Sequence, residues 1–281
     1  MTRIAIIGAD GQLGTSLQRV AAERSIVVAD LPEVDLTRPQ TVEAFLQEHE
    51  PEVLIDCAAW TDVEAAEDHP EQCMAVNVAG TDGLAQLCTR HRVKLVYIST
   101  DYVFDGDRNT PYQEDQPTGG KNVYARSKAG GERAALGGCH DALVVRSSWL
   151  FGPGGRNFVE AIIRQAGLRD TLTVVDDQTG CPTFTDDLAR AIYRLVDLGT
   201  EGIVHFCNSS PCTWYDFARE IVQRAGLDVE IVPVTTDEMA GFKAARPTYS
   251  VLDTSLYTRL TDRTPRPWQD ALVDYLADRT S

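Results

Sequence analysis

The feature that most constrains this chain is its start. Arg3-Ile4-Ala5-Ile6-Ile7 is an almost wholly apolar run that feeds Gly8-Ala9-Asp10-Gly11-Gln12-Leu13-Gly14, after which Leu13, Leu17, Val20 and Ala21 recur at helical spacing. A short strand apolar at nearly every position is buried on both faces, the situation of a parallel sheet covered by helices. Glycines at the turn let the backbone bend tightly and bring N–H groups and the helix N-terminus close to a pyrophosphate. Gly8, Gly11, Gln12, Leu13 and Gly14 are therefore candidate cofactor-binding residues. Their spacing, Gly-x-x-Gly-x-x-Gly, departs from the usual Gly-x-Gly-x-x-Gly fingerprint, and a purely structural turn is the competing reading.

The alternation continues. A second strand over residues 26–29 ends at Asp30, where a carboxylate can accept hydrogen bonds from an adenosine ribose and would repel a 2'-phosphate, a tilt toward NADH. Asp35-Leu36 could flank the adenine, or Asp35 could cap the helix Pro39–His49. A third strand, in the stretch 53–59, runs into Ala58-Ala59, small enough to leave room for a cofactor, and a single long helix is expected over 71–92. The fourth strand, 94–98, ends in Ser99-Thr100-Asp101. Residues 105–121 read as loop, and 142–146 as the fifth strand. This pattern predicts an α/β, Rossmann-like doubly wound parallel sheet with right-handed crossovers. Residues 1–150 form the expected NAD(P)-binding Rossmann domain and 151–281 a smaller C-terminal α/β substrate lobe, part of which folds back onto the sheet. In the lobe, helices are expected over 158–166, 186–198, 213–225 and 268–276, with strands at 171–175, 203–206 and 229–232.

Charge narrows the partners. With 26 Lys+Arg against 42 Asp+Glu, a formal net charge of -16 repels nucleic acid and anionic membranes, although a helix N-terminus or a single arginine can still hold a small anion. The seven cysteines lack Cys-x-x-Cys spacing and mostly sit in apolar segments, which fits reduced, buried thiols. A strand pattern in place of a leader at the N-terminus, with no bilayer-length apolar segment, predicts a cytoplasmic protein.

In Asn122-Val123-Tyr124-Ala125-Arg126-Ser127-Lys128 a phenol and an ammonium stand one helical turn apart. A free tyrosine titrates near 10, and a neighbouring positive charge favours the phenolate, so Lys128 is expected to lower the Tyr124 value. Two residues sharing a solvated helix face are the competing reading. Thr100 could likewise be a turn or cap residue.

With the glycine turn, the Thr100 strand end and the Tyr124–Lys128 helix in that order, the sequence resembles the extended short-chain dehydrogenase/reductase family. Within it the likeness is to the enzymes that reduce dTDP-4-dehydrorhamnose to dTDP-L-rhamnose. The resemblance covers nearly the whole chain. Its most selective carriers are Ser99-Thr-Asp-Tyr-Val-Phe-Asp-Gly106, Arg146-Ser-Ser-Trp149, Asp177-Gln-x-Gly-x-Pro-Thr183 and Arg246-Pro-x-x-Ser-x-Leu-Asp253. It implies NADPH or NADH as hydride donor, a nucleotide-sugar substrate, and a monomer or homodimer. Thr100, Tyr124 and Lys128 would form the catalytic triad: Tyr124 the proton donor, Lys128 the holder of the nicotinamide ribose, Thr100 a hydrogen bond to the reacting oxygen. Thr61, Val63 and Trp149 would line the sugar pocket, and Asn157, Gln178 and Arg246 would meet the nucleotide. A core position for Trp149 and a surface ion pair for Arg246 are the alternatives.

Two departures from the family pattern stand out. Gly119-Gly120-Lys121 and Ala125 replace its usual neighbours of Asn-Val-Tyr, which is expected to loosen the loop before the helix. Ser16 stands where some members carry a Mg²⁺-binding glutamate, which makes a metal-bridged dimer doubtful and predicts no metal site. The same fold also resembles a non-catalytic regulatory subunit and the sugar-nucleotide epimerases; the intact triad argues for net reduction.

Overall fold

The computed structural model describes residues 2–239 and 241–279. In chain order it contains β1 (Arg3–Ile7), α1 (Gln12–Arg19), β2 (Ser25–Ala29), α2 (Pro39–His49), β3 (Val53–Asp56), α3 (Val63–Asp68), α4 (Pro70–Met74), α5 (Thr81–His91), β4 (Lys94–Thr100), α6 (Val123–Gly138) and β5 (Leu143–Ser147). Then come β6 (Leu150–Phe151), α7 (Phe158–Ala166), β7 (Thr171–Val175), β8 (Thr179–Gly180), β9 (Thr183–Phe184), α8 (Thr185–Asp197), β10 (Gly202–His205), β11 (Cys212–Thr213), α9 (Trp214–Ala225), β12 (Glu230–Val234), α10 (Ser255–Thr261) and α11 (Trp268–Arg279).

Six strands make one parallel sheet in the order β2-β1-β3-β4-β5-β10. Alternate residues face opposite layers. Ile4, Ile6, Ile55 and Val145 pack with Leu17 of α1 and Leu188 and Ile192 of α8, whereas Ala5, Leu54, Leu95 and Val144 pack with Phe45 of α2, Leu84 of α5 and Ala135 of α6. Each such leucine or isoleucine, fully buried, contributes roughly 1.5–3 kcal/mol, which is why the all-apolar strands read so clearly.

Strand order reverses between β1 and β3, where open α/β sheets leave a crevice for ligands. Gly8, at the end of β1, has a φ of +72°, and a Cβ there would lie 2.5 Å from the Ala58 amide nitrogen. A Cβ on Gly14 would lie 2.4 Å from the Gly8 carbonyl oxygen, so this close turn admits no side chain at either position.

Three local expectations are corrected. The stretch 71–92 is not one α-helix: Ala75–Gly80 widens into a π turn between α4 and α5. That turn aims Asn77 at the backbone of Trp60 (N at 2.9 Å, O at 3.0 Å) and at Ser127 Oγ (2.8 Å). Asp35 does not cap α2, whose N-cap is Arg38 without a side-chain cap bond; Asp35 instead accepts from the Thr37 backbone and hydroxyl. The loop before α6 is not loosened, because the amides of Gly119 and Gly120 both donate to the Val103 carbonyl at 2.8 and 3.0 Å.

The chain beyond residue 150 serves two bodies. Strand β10 extends the main sheet beside β5, and α8 covers one of its faces. The parallel pair β7/β12, with α7, α9 and α11, closes a separate core around Phe151, Phe217 and Trp268. A strap containing residues 245–253 then crosses back, pairing Leu252 with Tyr112. The seven cysteines carry no disulfide. No helix among the described residues is long and apolar enough to cross a membrane.

Candidate active site

A cleft of about 980 Å³ opens at the carboxyl ends of β1, β3, β4 and β5. Of the residues singled out from sequence, Gly8, Gly11, Gln12, Leu13, Gly14, Asp30, Asp35, Leu36, Ala58 and Ala59 line one stretch of it, and Thr61, Val63, Thr100, Tyr124, Lys128, Trp149 and Arg246 the other. Asn157 and Gln178 do not reach it.

Helix α6 sets the geometry of the centre. Asn122 caps it, accepting from the Ala125 amide at 2.7 Å and donating to the Ala245 carbonyl at 2.8 Å, which ties the helix start to the strap. Tyr124 and Lys128 follow on one face. Ser127 between them donates to the Tyr124 carbonyl at 2.8 Å. At the end of β4 the Thr100 hydroxyl donates to Asp101 Oδ1 at 3.0 Å and accepts from the Tyr102 amide at 3.2 Å, on the same cleft as the Tyr124 phenol. Asp101 is held from its other side by Ser250 of the strap. Burial pushes the Asp101 carboxyl up to about 6, against the pull of those two hydroxyls.

Electrostatics at Tyr124 differ from the expectation. Burial pushes the phenol above its ordinary value, and the neighbouring Thr100 hydroxyl works the other way. The Lys128 ammonium lies 4.0 Å from the centre of the Tyr97 ring and is buried; burial pushes it down while Asp56, and then Glu132, pull it up. Tyr124 therefore keeps its proton at neutral pH.

The opposite wall is aromatic. Trp149, at a left-handed φ of +48°, stacks on Trp214 with ring centres 3.5 Å apart and planes 7° apart. The motif around Gln178 builds this stack. Gln178 Oε1 accepts from Trp214 Nε1 at 3.2 Å, a Cβ on Gly180 would sit 2.5 Å from the Trp149 indole, and the Thr183 amide donates to the Trp149 carbonyl at 3.1 Å. Gln178 thus acts behind the wall. Asn157 is the N-cap of α7: it accepts from the Glu160 amide at 3.0 Å and donates to the Gly152 carbonyl at 2.9 Å, leaving no free donor for a nucleotide. Arg246 lines the cleft while its guanidinium donates to Glu64 at 2.7 Å and Tyr102 Oη at 3.0 Å, so the ion pair and the cleft position coexist. Burial alone would raise Glu64, but the Lys243 and Ala244 amides and Arg246 bring it below the usual carboxylate range.

Comparison with known proteins now decides the family. The RmlD substrate binding domain model matches residues 1–281. The chain belongs to that family. A dTDP-4-dehydrorhamnose reductase of Streptomyces griseus is 41% identical, covering 96% of this chain and 91% of its own. A dTDP-4-keto-6-deoxy-D-glucose reductase of Streptomyces niveus is 38% identical over 95% and 94% of the two chains. Among solved structures, dTDP-4-dehydrorhamnose reductase of Bacillus anthracis in complex with NADP is 36% identical, with a TM-score of 0.95 over 99% of this chain and 100% of that one.

Several groups of this RmlD-family cleft were not singled out from sequence: Asp56, Tyr102, Arg156, Phe158 and Trp214 all line it. Tyr102 lay within the Ser99–Gly106 motif and was findable there. Trp214 opens an amphipathic helix and looks, from sequence, like a core residue. Ser16, in the position where some family members carry a glutamate, is buried and shares a 2.7 Å hydrogen bond with Thr185 Oγ1. Among the described residues no group of three His, Cys, Asp or Glu could hold a metal ion.

Proposed function

We propose that this protein reduces the C4 ketone of a nucleotide-linked 4-keto-6-deoxysugar with NADH or NADPH, dTDP-4-dehydro-L-rhamnose giving dTDP-L-rhamnose being the favoured reaction. The observation that carries the reading is the opening of Thr100, Tyr124 and Lys128 onto one cleft, between the Gly8–Gly14 turn and the Trp149–Trp214 stack. The chain's residues fit a dinucleotide, since the turn leaves no room for a Cβ at Gly8 or Gly14, and Asp30 lines the same cleft, where its carboxylate would meet the adenosine ribose. When bound, the nicotinamide supplies the hydride. Asp30 favours a free 2'-hydroxyl and hence NADH, without excluding NADPH.

The chain's own work is protonation and positioning. Tyr124, half-buried and with its phenol pushed above the ordinary value, gives its phenolic proton to the carbonyl oxygen as that oxygen becomes an alkoxide. Thr100 steadies the phenol and reaches the same oxygen when its proton turns from Asp101. Lys128 offers its ammonium to ribose hydroxyls. The flat face of Trp149, propped by Trp214, suits the C–H side of a pyranose. Arg246, fixed by Glu64 and Tyr102, presents the remaining edge of its guanidinium to a substrate phosphate.

The test uses dTDP-4-dehydro-L-rhamnose and a nicotinamide cofactor deuterated at C4, with NMR of the product. The expected result is one deuterium on C4 of the sugar and one cofactor oxidised per product. Tightly held cofactor that is not consumed would favour an epimerase, and cofactor binding without turnover a regulatory subunit. Either would overturn the reading.

A further inference from the structure

On the α6 side of the sheet, β3 carries a carboxylate where its neighbours carry hydrocarbon. Leu54 and Asp56 share a face. Leu54 packs with Leu95, Val144 and Cys88, and Asp56 continues that face into the floor of the cleft, only 2% exposed. Its Oδ1 accepts from the Ala58 amide at 3.0 Å, while Oδ2 is buried with no hydrogen-bond partner. Beside it in register is Tyr97 of β4, whose ring face lies under the Lys128 ammonium. A buried carboxylate with an unsatisfied oxygen persists where a fixed positive charge compensates it.

We infer that Asp56 is a positioning residue for Lys128: its carboxylate supplies the counter-charge that keeps the lysine an ammonium, turned to the cleft, within a layer built of hydrocarbon. The inference rests on the reduction proposed above for what Lys128 does there, but not for the pairing itself. The groups acting on Lys128 are Asp56 and Cys57 from the end of β3, Cys73 from α4, and Glu132 of its own helix, with Tyr97 beneath it. Glu132 is already committed, receiving Arg146 through two 2.7 Å hydrogen bonds and Ser99 through one of 2.6 Å. Asp56, beside the Tyr97 ring that the ammonium faces and with Oδ2 unpartnered, is the uncommitted carboxylate. Burial raises Asp56 and lowers Lys128, and the attraction between them opposes both. Without the carboxylate, burial would strip the lysine proton at a lower pH.

The chain has four lysines, at 94, 121, 128 and 243, so a ¹⁵N titration of the side-chain nitrogens can follow Lys128 in the cofactor-free protein. Asp56→Asn is expected to move its midpoint down by about one pH unit or more and leave the other three in place. The alkaline limb of kcat for keto-sugar reduction should move down with it while the rate below that limb is retained. Asp56→Ser, which also removes the charge, should shift the midpoint in the same direction, and serves alone if Asp56→Asn does not fold. An unmoved Lys128 midpoint in either variant overturns the inference, as does a kcat profile lowered evenly at every pH. A shifted midpoint in a protein that reduces no keto sugar would uphold the pairing and overturn the proposed reaction instead.

Discussion

On the β3–β4 wall of the cleft, single polar groups stand on strand ends and one helix turn; on the Trp149–Trp214 wall, rings hold one another. The first wall is fixed by main-chain ladders and by buried charge: Arg146 and Glu132 pair against Ser99, with side chains only 2% and 4% exposed. The second rests on stacking and on hydrogen bonds from the rear, such as Gln178 to Trp214. Its ion pairs lie at the rim, as between Glu160 and Arg279, where both side chains are about one third exposed. Damage to the first wall should therefore appear as lost stability or lost proton chemistry, and damage to the second as weakened sugar binding.

Acid should strain the sheet wall first. His205 is fully buried, and burial, with the nearby Arg146 charge, depresses its imidazole to about 3. The unfolded chain binds that proton near 6.5 and the native protein does not, so this contribution is present above 6.5 and fades as pH falls toward 3, up to about 5 kcal/mol from this one group. Urea unfolding across that range checks it, with His205→Gln expected to flatten the slope. Glu132→Ala leaves Arg146 buried without its partner and should cost about 3–5 kcal/mol in the same measurement at neutral pH. On the aromatic wall, Trp214→Ala removes the prop under Trp149; loss of about 1 kcal/mol of stacking should raise KM for the nucleotide sugar several-fold and leave cofactor affinity unchanged. Equal weakening of both ligands would break the distinction between the walls. Asn157→Ala should be the mildest, losing a helix cap worth about 1 kcal/mol in thermal or urea unfolding with KM unmoved.

The same contrast explains how much could be read from sequence. Gly8, Asp30, Ala58 and Thr100 follow strands whose faces are set by a two-residue period, so reading the strand places the residue at the cleft. Tyr124 and Lys128 follow from helical spacing in the same way. Asn157 and Gln178 sit in segments whose positions depend on contacts far along the chain, with Tyr275 and Thr236, and no local period reports those. Trp149 reaches the cleft through a left-handed residue next to a two-residue strand. Only likeness to a family suggested its place. Asp56 carries no such signal, because a carboxylate closing an apolar strand reads locally as the start of a turn. Helical spacing reveals the Lys128 neighbour of Tyr124 but not the burial that pushes the phenol up.

The most direct test of the account is Tyr124→Phe, with kcat for keto-sugar reduction and the cofactor dissociation constant measured on the same preparation. Loss of the phenolic proton should lower kcat by about 10²- to 10⁴-fold and leave cofactor binding as in the parent protein. A variant that turns over at the parent rate would contradict the assignment of Tyr124 as the proton donor.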